Sequence, residues 1–180
     1  DPGGVPDEGL QLAAARSVFL RCGFHGASLD EIAEEAGYTK GAVYSNFEDK
    51  DALFLALLDE RYTGRVVAYS EMMLEVDSLD EAFRRVSWFM AEADQEEPDW
   101  LPTLAEFVAH ASQHEDLRRA YARSRERFLE AIAGIIDTLA ERHGASLRIS
   151  SSPLLTICQA CSTTLRLLKS AGRMSRALET

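Results

Sequence analysis

Between residues 28 and 50 the sequence gathers side chains suited to contact with a polyanion. Ser28 and Thr39 stand where two short helices are expected to begin, so their hydroxyls and the neighbouring backbone N–H groups are placed to take phosphate oxygens. Lys40 puts a cation at the entry of the second of these helices. Gly41 and Ala42 leave almost no side chain between that helix and an approaching surface, and the Ala42 methyl is small enough to meet a thymine methyl. Tyr44 and Ser45 add outward hydroxyls, and Lys50, after Glu48-Asp49, stands where a flanking phosphate strand would pass.

Other constellations carry less. Glu106, His110 and His114 recur at i,i+4 spacing, which stacks a carboxylate and two imidazoles on one helix face, a donor set compatible with Zn or Ni. Further ligands would have to come from elsewhere in the chain, so we assign no metal and no cofactor. Cys158 and Cys161 share a helix face inside an apolar stripe and lack a second ligand pair, so they read as small buried hydrophobes, with a redox sensor as the other reading. No nucleophile elbow, glycine-rich cofactor loop or His-Glu-x-x-His run occurs, and we expect no enzyme.

The elements that position the first set are helices. Alanine and leucine number 47 against 14 valines and isoleucines, and no proline occurs between Pro6 and Pro98. The expected fold is all-α. Leu12, Ala15, Val18, Phe19 and Cys22 give a first helix from Glu8, with Gly23 as its stop. Ser28-Leu29-Asp30-Glu31 forms a capping box for a second helix with Leu29, Ile32, Ala33 and Ala36 inward, ended by Gly37. Thr39 caps a third, with Val43 and Phe47 inward. Two short helices joined through Gly37-Tyr38 and resting on a longer one make a helix-turn-helix, which offers its last helix to the major groove.

The unbroken stretch from Ser28 to Lys50, with its glycines, cap, Lys40-Gly41 pair, aromatic Tyr44 and second lysine, resembles the DNA-binding domain of the TetR/AcrR family of transcriptional regulators; the likeness extends over residues 8 to 60. The resemblance implies phosphate contacts from Ser28, Tyr44 and Lys50, and groove contacts from Thr39, Lys40, Gly41, Ala42 and Ser45. Asn46 departs from the family, which usually has an aromatic there. Residues 1 to 65 hold 6 basic and 12 acidic side chains, whereas the family often carries a basic arm ahead of helix one; that arm is expected to precede Asp1.

Beyond residue 48 a long helix follows, with Leu53, Leu57, Tyr62, Val66, Tyr69 and Met73 inward, to Val76. A second capping box at Ser78–Glu81, a restart at Pro98 to Pro102, a helix over 115 to 143 and a last one over 152 to 171 complete the chain. We divide it into a helix-turn-helix DNA-binding domain, 1–48, and a helical ligand-binding and dimerisation domain, 49–180. Tyr69, Met73, Phe89, Trp100, Phe107 and His110 are the expected walls of an effector pocket, apolar and adaptable with one polar group to orient a ligand.

The resemblance implies that the last two helices pair with those of a second subunit. The expected partners are therefore double-stranded operator DNA, a small-molecule effector and a second copy of the chain. The expected function is that of a ligand-responsive regulator, usually a repressor, that binds a palindromic operator as a homodimer and is released by the effector. The net charge of -11 argues against indiscriminate coating of nucleic acid. No apolar run reaches the length of a membrane span, and three cysteines make no disulfide scaffold, so a cytoplasmic location is expected. The competing reading is a helical ligand-binding or protein-interaction module that has lost specific DNA binding.

Overall fold

The computed structural model describes residues 7–78, 80–82, 84–85 and 98–144. Among these the fold is all-helical, with α1 Glu8–Gly26, α2 Leu29–Glu35, α3 Lys40–Asn46, α4 Lys50–Leu74, α5 Trp100–Ala111 and α6 Glu115–Arg142. The helix expected over 152 to 171, with Cys158 and Cys161, lies outside the described residues, as does Phe89.

Local chemistry explains the boundaries. Asp7 caps α1 by accepting the amides of Gly9 and Leu10. α1 does not stop at Gly23 as expected. The backbone kinks there (φ 72°, ψ 173°), a conformation open to glycine, and one further turn carries the helix to Gly26. α2 ends in a Schellman turn: Gly37 takes φ 69°, its N–H donates to the carbonyl of Glu34, and the Tyr38 N–H donates to that of Ala33.

Each expected capping box is half made. Ser28 Oγ accepts the Glu31 amide at 3.2 Å, but the Glu31 carboxylate turns to Arg21, also at 3.2 Å. Ser78 likewise accepts the Glu81 amide at 3.3 Å while the Glu81 carboxylate takes Arg85 at 2.7 Å. In both places a guanidinium offers the carboxylate a charge-assisted bond, stronger than one from a neutral backbone N–H.

The described residues fall into two compact units, one made of residues up to 63 with 102–124 and the other of residues 64–101 with those from 125 on. In the first unit the first three helices share a core with the start of α4, most of α5 and the start of α6. That core is aromatic. Phe19, Phe24, Phe54 and Phe107 are fully buried, with Phe54 and Phe107 stacked at 4.4 Å and Phe24 edge-on to both at 5.3 and 5.2 Å. Thr103 Oγ1 donates to the Phe19 carbonyl and Ser124 Oγ to Asp59, tying α5 to α1 and α6 to α4. Against this core α1 packs on α2, and α2 on α3. Within the second unit, Met73, Val76, Ala82 and Leu139 form a smaller cluster, with Met72 and Ile135 against it.

Candidate nucleic-acid interface

Helix α3 contributes a single side chain, Val43, to the core, and Phe47 closes its end. The expected contact positions surround that anchor on the outside. Thr39, Lys40, Gly41, Tyr44 and Ser45 are exposed and Ala42 half-buried; Ser28 is exposed at the start of α2. Tyr44 leaves 46% of its surface open, unusual for so large a ring in a packed domain. A Cβ built on Gly41 would have no neighbour within 4 Å, and its φ is not positive. Nothing in the fold requires glycine at this position.

The polar groups of α3 are already partly engaged. Thr39 Oγ1 accepts the Ala42 amide at 3.3 Å, and Ser45 Oγ donates to the Ala42 carbonyl at 2.7 Å. Lys40 Nζ lies 2.6 Å from Asp30 Oδ1 and 5.8 Å from the centroid of the Tyr44 ring. The hydrogen bond with Asp30 raises the Lys40 pKa above the ordinary lysine value. Lys50 is engaged within the protein: its ammonium donates to the backbone carbonyls of Phe24, Ala27 and His25 at 2.8, 3.0 and 3.4 Å.

Gln11, which sequence reasoning missed, holds α3 on α1. It is fully buried, its Nε2 donates to the Ala42 carbonyl at 3.3 Å, and its Oε1 accepts from Asn46 Nδ2 at 3.0 Å. Asn46, the position where an aromatic was expected, is thus a partner for a buried amide. The available signal was a glutamine next to Leu12 on the buried side of an apolar stripe.

Residues 12–57 match the pattern described as "Bacterial regulatory proteins, tetR family". The chain is 30% identical over 135 residues to the HTH-type transcriptional repressor Rv1474c of Mycobacterium tuberculosis, an alignment covering 75% of this chain and 65% of that protein. Over residues 12–57 the chain is thus similar to the TetR family, and it spans less than two thirds of the length of that relative. The helical fold agrees with two solved structures. The fatty acid degradation regulator FadR of Bacillus halodurans has a TM-score of 0.72 at 15% identity, covering 97% of this chain and 88% of that one. FadR of Bacillus subtilis, solved with stearoyl-CoA, has a TM-score of 0.64 at 16% identity, covering 93% and 89%. Residues 12–57, which hold α2 and α3, thus resemble a family of bacterial regulatory proteins. No helix among the described residues is long and apolar enough to cross a membrane.

The residues expected to wall a TetR effector pocket are distributed over both units. Phe107 is a core residue of the first unit, its ring also edge-on to Tyr121 at 6.0 Å. His110 Nε2 lies 3.1 Å from Asp51 Oδ2. Tyr69, Met73 and Trp100 are buried in the second unit. There an open groove of about 430 Å³ between α4 and α6 is lined by Met73, Leu74, Ile135 and Leu139 with Ser70, Thr138 and Arg142 at its polar margin.

The Glu106, His110, His114 row is split. The Glu106 carboxylate accepts the His25 amide at 3.1 Å, His110 turns to Asp51, and the His114 ring stands 4.6 Å from that of His110. Among the described residues no three His, Cys, Asp or Glu side chains converge as a metal site.

Proposed function

We propose that this chain is a ligand-responsive transcriptional regulator, acting as a repressor, that binds a palindromic operator as a homodimer and is released by a small-molecule effector. One observation carries the reading: α3 buries Val43 and turns Gly41, Tyr44 and Ser45 outward, with no packing reason for a glycine at 41. A backbone that needs no side chain, bordered by hydroxyls, suits close approach to base edges and phosphates. In this reading residues 1–48 read DNA, with Thr39, Lys40, Gly41, Ala42 and Ser45 in the groove and Ser28 and Tyr44 on phosphates, and residues 49–180 bind effector and partner subunit.

Two-fold symmetry follows from the geometry of the task, since paired recognition helices read half-sites about 34 Å or a multiple of it apart. The effector is a small molecule, and the groove lined by Met73 and Ile135, with Tyr69 and Trp100 buried in the same unit, is where we place it. The relative named as a repressor, and the FadR structure solved with stearoyl-CoA, support a regulator with an effector; a long-chain acyl thioester is the first compound to try. Binding would shift a two-state equilibrium by a coupling of about 1–3 kcal/mol.

The test is selection of bound duplexes from a random-sequence pool, repeated across salt concentrations. Recovery of a two-fold palindrome, with affinity falling as salt rises, is the expected result. Tyr44→Ala should weaken binding to all recovered sequences alike, whereas changes at Lys40 or Ala42 should alter sequence preference. A correctly folded dimer that selects no sequence would transfer the assignment to the interaction module.

A further inference from the structure

The turn between α1 and α2 is gripped from two sides by residues remote in sequence. At Gly23 the chain leaves helical geometry, so carbonyls and an amide that an unbroken helix would pair internally face outward. On one side the Lys50 ammonium, at the start of α4, takes the carbonyls of Phe24, His25 and Ala27 and sits 4.7 Å from the centroid of the Phe24 ring. An ammonium has three donors, and a helix C-terminus is where a cation is best placed. On the other side Glu106, from α5, accepts the His25 amide. Its carboxylate fills the space in front of Gly23, where a Cβ would come within 2.9 Å of both oxygens. The residue after this turn is Ser28, the cap of α2, so the direction in which the helix-turn-helix leaves α1 is set here.

We propose that Lys50 and Glu106 are positioning residues for DNA reading, a two-sided clamp on residues 23–27 that fixes the orientation of α2 and α3. Lys50 acts on the protein's own carbonyls and not as a phosphate ligand. Glu106 makes α5 a structural party to operator recognition. Both roles rest on DNA binding by the helix-turn-helix, but the clamp itself exists without DNA and is measured without it.

The experiment uses the full chain with Glu106→Leu, Glu106→Gln and Lys50→Met. It reads hydrogen exchange of the backbone amides, melting temperature, and affinity for a selected duplex across salt. Glu106→Leu should speed exchange at residues 23–28 selectively and weaken DNA binding about tenfold, the scale of one charge-assisted hydrogen bond. Glu106→Gln keeps an acceptor for the His25 amide and should restore most of both, a rescue that a generic loss of packing would not give. Lys50→Met should weaken binding while leaving the slope of log affinity against log salt unchanged, whereas loss of a phosphate contact lowers that slope by about one. If Lys50→Met does not fold, Lys50→Gln, with two amide donors, replaces it under the same criterion. Unchanged exchange at 23–28 in Glu106→Leu overturns the clamp, and a slope reduced by about one in the Lys50 variant overturns the role given to Lys50. Failure of the unaltered chain to bind any duplex would refute the regulator reading, while the exchange pattern would still decide whether the clamp exists.

Discussion

Lys40 Nζ sits 2.6 Å from Oδ1 of Asp30, so the cation at the entrance to α3 is paired by a carboxylate of α2 before any DNA arrives. Both partners are largely exposed, and the pair is readily exchanged for another anion. Asp30 therefore competes with phosphate for the charge that Lys40 offers.

Asp30→Asn should strengthen binding to a cognate duplex about two- to fivefold, the range of an exposed ion pair, and steepen its salt dependence. The same change should return the Lys40 pKa toward its ordinary value. Because pairing raises that pKa, the attraction is complete below the ordinary lysine value and is lost as pH rises through the raised one. A salt titration of binding compares the two proteins, and weaker binding by the variant would mean that Asp30 positions Lys40 instead of restraining it.

Gly41→Ala should separate folding from function. With open space around the added methyl and no positive φ, alanine should raise stability by up to about 1 kcal/mol, because a helical glycine costs backbone entropy. The same methyl should lower operator affinity if the helix backbone approaches base edges. Thermal melting and duplex binding on one preparation show whether the two effects take opposite signs.

Gln11→Leu removes a buried amide that serves two partners, Ala42 O and Asn46 Nδ2. The cost should be about 1–3 kcal/mol of stability, the range for stranding a buried polar group, together with weaker DNA binding as α3 loosens on α1. Asn46→Ala should add little to Gln11→Leu, since each depends on the other. A denaturation double-mutant cycle with full additivity would disprove the coupling.

Glu115 at the start of α6 is bonded to Arg118 and Arg119. The Arg118 hydrogen bond, ahead of the Arg119 one, holds its carboxyl below the usual carboxylate range. A depressed native pKa contributes stability that is present above the ordinary carboxylate value and is lost as pH falls through the lowered one. A carboxyl NMR titration should place Glu115 below its unfolded midpoint, and Arg118→Gln should move it upward.

Much of this architecture could be read from residue types alone. Ser28, Gly37 and Thr39 mark the ends of α2 and α3 because caps and left-handed turns are local chemistry, decided within four residues. The buried stripe of Leu29, Ile32 and Ala33 follows from helical periodicity in the same way. What could not be read depends on partners far along the chain. Gln11 meets Asn46 across 35 residues, Lys50 turns back to Phe24 across 26, and Glu106 reaches His25 across 81. A lysine's type and position suggest an anion in front of it; only the fold reveals that the nearest oxygens are the protein's own. The half-made boxes at Ser28 and Ser78 have the same origin, since a nearby arginine outbids the backbone for the glutamate.

That Val43 is the side chain α3 buries, with Ala42 and Asn46 held by Gln11, bears on how such a protein diverges. Substitutions at positions 40, 41, 44 and 45 leave the hydrophobic interior untouched, so a duplicated gene could drift toward a new target sequence without passing through unfolded intermediates. Asn46 and Ala42, tied to Gln11, would change more slowly. Sequence preference and foldability are then inherited through largely separate sets of residues, and the recognition helix behaves as an interchangeable part on a conserved chassis.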